Sequence, residues 1–169
     1  MGYTHFWYRP QILDGEKFEA AAVDFERVFR AWKERSPGQT LTNKEFRGTR
    51  VQDLEINSRL VYFNGGCETF MIGRISDGRV KADGLVFEFC KTAALPYDLP
   101  VMCCLLVFKH HFGDGFKVSS NGRDPEWTPA YKLVKEVLDY PENWRFSEGH
   151  EEDGIWVDSY LVAEAGIPA

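Results

Sequence analysis

The chain lacks most of the signatures that name a reaction. It has no CxxC pair, no HExxH helix signature, no carboxylate triad and no glycine-rich phosphate loop. A structural or catalytic metal is therefore not expected, and no cofactor is implied. Positive charge is in deficit: 20 Lys and Arg stand against 26 Asp and Glu, a net charge of −6. Such a chain has no long-range attraction for a phosphate backbone, so no nucleic-acid polymer is expected as a partner. Long apolar runs are missing as well. The longest, Val101 to Phe108, is far too short for a bilayer, so no membrane partner is expected. Cysteine is sparse, with Cys67, Cys90, Cys103 and Cys104 only, and the opening MGYTHFWYRP has no extended apolar stretch. The expectation is a soluble cytoplasmic protein with four free thiols.

What is present is globular. The 169 residues are 44% hydrophobic and 15% aromatic, enough for one domain with a sizeable core. Tyr3 to Arg9 is aromatic enough for a strand. Asp14 is an N-cap, and Phe18, Ala22, Phe25, Val28, Phe29 and Trp32 then recur at helical spacing. Gln39 to Ser58 is polar and aperiodic, a long loop. Leu60–Phe63 and Glu68–Ile72 flank Asn64-Gly65 as a hairpin. Leu85 to Phe89, apolar at nearly every position, predicts a central strand. A helix starting at Asp98 is apolar all round until Lys109, so it should be the buried one. Phe116 to Ser120 is a further strand, and Asp124 is placed to cap a third helix. The order predicts a single α+β domain over residues 1–140, mainly an antiparallel sheet with about three packed helices. Residues 60–72 should join that sheet. Residues 141–169 form an acidic extension packed on the domain or partly ordered against it, with a last strand or docked helix at Ile155 to Val162.

The stretch FEFCKTAALPYDLP, residues 87–100, interrupts two apolar runs with Cys90, Lys91, Thr92, Tyr97 and Asp98. A strand end beside a helix start attracts anions, because unpaired N–H groups and the helix dipole face outward there. Lys91 adds a point charge. Ser119, Ser120 and Asn121 end another strand and offer hydroxyls and turn amides, which serve equally as ordinary turn chemistry. Asn64 has the bland reading of a hairpin turn. Glu68 reads either as an acceptor for ligand hydroxyls or as an exposed strand residue. His5, mid-strand among aromatics, is a candidate ligand contact, although a satisfied core histidine is the commoner case. Cys90 beside Lys91 pairs conceptually with His5 as nucleophile and base, against the plainer reading of a buried small residue. Tyr3, Trp7, Tyr62 and Tyr97 are candidates to stack on a base, whereas most phenylalanines belong to the core.

Four blocks, GYTHFWYR, FNGGCETF, FCKTAALPYD and KHHFGDGFKVSSNG, resemble in order a widespread family of uncharacterised bacterial and phage proteins. The resemblance spans roughly residues 2 to 138 and implies no established activity. It implies shared polar positions at His5, Asn64, Gly65, Glu68, Cys90, Lys91, Thr92, Tyr97, Asp98, Ser119, Ser120 and Gly122. Asn121 stands where Asp is common in that family. Three functions follow from the sequence. The first is a non-enzymatic binder of an anionic, nucleotide-like small molecule, as in a phage-type sponge that sequesters an immune signal. The second is a hydrolase or phosphodiesterase acting on such a nucleotide through His5, Cys90 or Lys91. The third is a protein–protein adaptor using the acidic tail. A homo-oligomer is compatible with all three. The polar residues of 90–98 are expected to face one cleft with Ser119, Ser120 and Glu68.

Overall fold

The computed structural model describes residues 3–45 and 48–164. Its elements are β1 (Thr4–Pro10), α1 (Gly15–Arg35), β2 (Glu55–Ile56), β3 (Leu60–Phe63), β4 (Phe70–Gly73), β5 (Leu85–Lys91), α2 (Asp98–Phe112), β6 (Lys117–Ser120), α3 (Asp124–Leu138), β7 (Asn143–Phe146), β8 (His150–Glu152), β9 (Ile155–Val157) and β10 (Leu161–Glu164). The chain is an α+β domain with antiparallel sheets.

Local chemistry sets the helices. Asp14 caps α1 by accepting from Lys17 N at 2.9 Å, and Phe18, Ala22, Phe25, Val28, Phe29 and Trp32 form its buried stripe. In α2 every residue from Val101 to Phe108 is buried, as its all-round apolar pattern requires. It packs between α1 and α3. Each large apolar side chain buried there contributes about 1.5–3 kcal/mol.

The single sheet expected from the sequence is instead four small ones. β5-β1-β6 form one and β2-β3-β4 another, and β7 pairs with β10 and β8 with β9. Phe63 of the β3–β4 hairpin stacks on Phe25 and Phe70 tilts against Trp7, and an isolated antiparallel bridge, Ile12 with Ile75, ties the chain just beyond β1 to the chain just beyond β4. β1 is the central strand and β5 flanks it, a correction to the reading of β5 as central. β5 is apolar on both faces because Val86 and Cys90 point into the core while Phe87 and Phe89 point out. The turn at Asn64-Gly65 is longer than a two-residue one. Phe63 pairs with Phe70, so residues 64–69 form the loop. Asp124 is the first residue of α3 rather than its cap, which is Arg123. The Asp124 carboxylate instead accepts from Tyr131 Oη and Phe146 N. The extension contributes Trp144, Phe146 and Leu161 to the core; its last five residues lie outside those described. No helix among the described residues is long and apolar enough to cross a membrane.

Candidate functional site

Strand register divides the polar candidates into three groups. β1 runs antiparallel to both neighbours, with His5 opposite Cys90 on one side and Ser120 on the other. Side chains alternate, so His5, Cys90 and Ser120 face the helices, whereas Thr4, Phe6, Lys91 and Ser119 face away.

The inward group is a sealed hydrogen-bond relay. Asp98, at the first turn of α2, accepts from Thr92 Oγ1 at 2.5 Å and meets His5 Nε2 at 2.6 Å. His5 Nδ1 lies 2.8 Å from Ser120 Oγ. Ser120 Oγ also accepts from Gly122 N at 2.9 Å and from Trp127 Nε1 at 3.2 Å. Those two donors occupy both lone pairs, so the hydroxyl hydrogen points at His5 Nδ1 and the imidazole N–H lies on Nε2 toward Asp98. The connectivity is that of a serine–histidine–aspartate triad, but the oxygen has no free lone pair for attack. His5 is fully buried and Ser120 is 4% exposed. Tyr3 and Trp127 close the imidazole edge-on, with ring centroids 5.2 Å away. The Tyr3 hydroxyl is buried without a hydrogen bond, and Gly122 leaves room for it: a Cβ there would stand 2.1 Å away. Burial, then the Asp98 charge, pushes Tyr3 up to about 12; Ser120 is near enough to oppose the shift but not in hydrogen-bond geometry.

The second group closes the β5 edge. Glu68 N donates to Lys91 O at 3.1 Å, and Glu68 Oε2 accepts from Lys91 N at 2.8 Å. The Tyr97 hydroxyl is shared between Glu68 O at 2.7 Å and Lys91 O at 3.2 Å. Asn64 ties the 64–69 loop through Gly66 N, Cys67 O and Thr69 Oγ1. Gly65 is required because the Tyr97 ring lies on it; a Cβ would be 2.2 Å from that ring. Burial first and the Glu68 charge second push the Cys90 thiol far above its ordinary range, which disfavours the thiolate. Trp7 and Tyr97, proposed for stacking, are buried at 1% and 2% exposure and offer no face.

The third group is the outer face of β5-β1-β6. Phe6 stands opposite Phe89, Tyr8 opposite Phe87 and Lys117, and Thr4 opposite Lys91. Phe6 and Phe87 lie nearly parallel at 17° with centroids 6.0 Å apart, and Phe87 stacks on Phe89 at 5.8 Å. Lys81 Nζ sits 4.9 Å above the Phe87 ring. A cleft of about 310 Å³ opens beside this stripe, lined by Phe6, Tyr8, Phe87, Ser119, Asn121, Arg123 and Asp158. Arg123 Nη1 is anchored on Ser120 O and Gly122 O, and Asn121 Oδ1 accepts from Thr4 N. No family model, curated protein or solved structure matches the chain.

The single cleft expected for residues 90–98 with Ser119, Ser120 and Glu68 is thus divided by the sheet itself. Lys91 and Ser119 share the outer face, but two strand spacings and two residues separate them, placing their Cα atoms about 11–12 Å apart. Sequence reasoning assigned the phenylalanines to the core and missed Phe6, Phe87 and Phe89. The signal was the alternation in Phe-Trp-Tyr and Phe-Glu-Phe, which puts those rings on the face away from Trp7 and Glu88. Phe89 is 55% exposed.

Proposed function

We propose that the protein is a non-enzymatic binder of a small, anionic, nucleotide-like molecule, held on the outer face of β5-β1-β6. The observation that carries this reading is a stripe of aromatic rings on a sheet face, half-buried at Phe6 and Phe87, open at Phe89 and bordered by cations. Phe6, Phe87 and Phe89 present flat apolar surface, on which a base gains about 1–3 kcal/mol by stacking. Lys81, Lys91, Lys117 and Arg123 lie around them, with Asp83 and Asp158 near Tyr8 and the Glu68 and Glu126 carboxylates on the Lys91 and Arg123 amides. These four cationic side chains give an anion local partners on a chain of net charge −6. Asn121 has an amide NH₂ at the cleft, whereas the Ser119 hydroxyl donates to Ser159 O at 3.0 Å.

Binding without turnover is supported by the inner relay. Its serine is saturated and enclosed, and the nearby thiol of Cys90 is held protonated. A sponge that sequesters a nucleotide signal fits such a site better than a hydrolase using His5, Cys90 or Lys91. Calorimetry with a panel of linear and cyclic nucleotides tests this, with ligand recovered after heat denaturation. Intact ligand is expected. Phe89→Ala should weaken binding about 5- to 150-fold, the loss of one stacking contact. Failure of every nucleotide to bind, or an affinity indifferent to Phe89→Ala, refutes the site; altered ligand refutes the non-enzymatic role.

A further inference from the structure

A larger cleft, of about 470 Å³, lies at the other end of β5, between the β3–β4 hairpin and the turn at residues 76–78. Its floor is built around one arginine. Arg9 is fully buried, and all five of its N–H groups are engaged: Nε with Pro10 O, Nη1 with Gly73 O and with Glu88 Oε1 at 3.3 Å, and Nη2 with Gln11 O and Arg74 O. Three of those carbonyls belong to the Gln11 and Gly73–Arg74 backbones, so the arginine fixes the wall of the cleft before any ligand arrives.

Two features of the lining are incompletely matched within the protein. The first is a pair of cations. Arg74 N donates to Arg59 O, so the two residues leave adjacent backbones, and both line the cleft. Neither guanidinium has a hydrogen bond or ion pair among the described residues. Asp77, also in the lining, makes no ion pair with either among the described residues. Neighbouring like charges facing one cavity are stabilised by an oxyanion, which the planar fork of Arg binds in bidentate fashion. The second is Glu88. Its Oε1 takes the long contacts from Trp7 Nε1 and Arg9 Nη1, both at 3.3 Å, and its side chain is 16% exposed, in the cleft. Burial outweighs Arg9, Trp7 and Ser76 and raises the carboxyl above its ordinary value, so its charge is under-compensated. A further N–H donor would supply what is missing. Arg9 already stands on the carboxylate, so a cationic donor is repelled and a neutral one is favoured. Leu60, Met71 and Ile75 add an apolar wall, with Met71 and Ile75 mostly open to solvent.

We propose that this cleft is a second ligand site, for a nucleotide-sized molecule carrying an oxyanion for Arg59 and Arg74 and a neutral N–H edge for Glu88, of which a guanine mononucleotide is the type. The volume falls within the roughly 300–1,000 Å³ of sites for ligands of that size. Guanine offers two adjacent N–H donors to a carboxylate, where adenine offers an acceptor and one donor. The proposal uses none of the outer-face residues, so either reading survives the failure of the other.

The test is calorimetry on the full chain with guanosine, adenosine and xanthosine 5′-monophosphates and with inorganic phosphate. Guanosine monophosphate should bind at least about tenfold more tightly than the adenosine compound. The double variant Arg59→Ala/Arg74→Ala, which removes no side-chain hydrogen bond or ion pair found among the described residues, should lose at least about tenfold in affinity. Glu88→Gln should weaken guanosine monophosphate and strengthen xanthosine monophosphate, because an amide NH₂ donates where the carboxylate accepts. Phe89→Ala should leave all of these values unchanged. Equal binding of all three nucleotides, or of phosphate alone, overturns the assignment of Glu88. Wild-type affinity in the double arginine variant overturns the site. Unaltered thermal unfolding of Arg59→Ala/Arg74→Ala keeps that second result interpretable if Glu88→Gln folds poorly.

Discussion

Ser120→Ala separates a structural relay from a catalytic one. The substitution deletes one oxygen from a position 4% exposed to solvent. Three groups lose their partner: the indole N–H of Trp127, the amide of Gly122 and His5 Nδ1. A buried polar group left unpaired costs about 1–3 kcal/mol, and these three share one small site that relaxes together. The expected destabilisation is about 2–4 kcal/mol, which lowers Tm by roughly 5–15 °C in a chain of this size. Asp98 gives a graded control. Asp98→Asn keeps an oxygen for His5 Nε2 and Thr92 Oγ1 but loses the charge, so it should cost about 1–2 kcal/mol. Asp98→Ala orphans both donors in the interior and should cost about 3–5 kcal/mol. Urea unfolding followed by tryptophan fluorescence reads the series, with Trp127 itself a reporter of the site. A catalytic relay predicts the opposite pattern, with stability preserved and a turnover lost. A Ser120→Ala protein within about 0.5 kcal/mol of the native one would refute the structural reading.

Gly65→Ala drives a Cβ into the Tyr97 ring, which is buried and tied to Glu68 O and Lys91 O, so denaturant unfolding should show a loss of about 1–3 kcal/mol. All four thiols are free and buried, and burial pushes Cys90, Cys103 and Cys104 far above their ordinary range. A thiol reagent should therefore find none in the native protein and all four in denaturant. Finding two or fewer in denaturant would contradict free thiols. The hydroxyls of Tyr3, Tyr97, Tyr131 and Tyr140 are all raised from an ordinary 10.0, chiefly by burial. Between pH 10 and about 12 the folded protein holds phenolic protons that the unfolded chain has released, so stability falls as pH rises through that window. Alkaline difference spectroscopy should show these tyrosines ionising only with unfolding.

The sequence by itself determined what repeats locally. Helical spacing from Phe18 to Trp32, with Asp14 before it, decided α1 and its buried stripe. The unbroken apolar run Val101–Phe108 decided that α2 would be central, because a helix with no polar face has nowhere else to go. Alternation in β1 separated two faces, and the residue types alone suggested a polar constellation around Asp98. Tertiary structure decided which face each candidate joined and what it met there. His5, Thr92, Asp98 and Ser120 come together only because β6 pairs beside β1 and Asp98 sits at the first turn of α2, contacts spanning 93 and 115 residues of chain for His5. Such pairings depend on strand order, which no local period encodes. The same pairing sent Lys91 and Ser119 to the opposite side of the sheet from Asp98 and Ser120. It also left Phe89 exposed and Phe6 and Phe87 half-buried, since the helices pack on one face of the three-stranded sheet while the other meets Lys81 and the short C-terminal segment around Ser159 and Tyr160. The Arg59, Arg74 and Glu88 cleft had no sequence signal at all. Its residues come from three strands and a turn, and they converge because Arg9 draws separate backbone carbonyls onto one guanidinium.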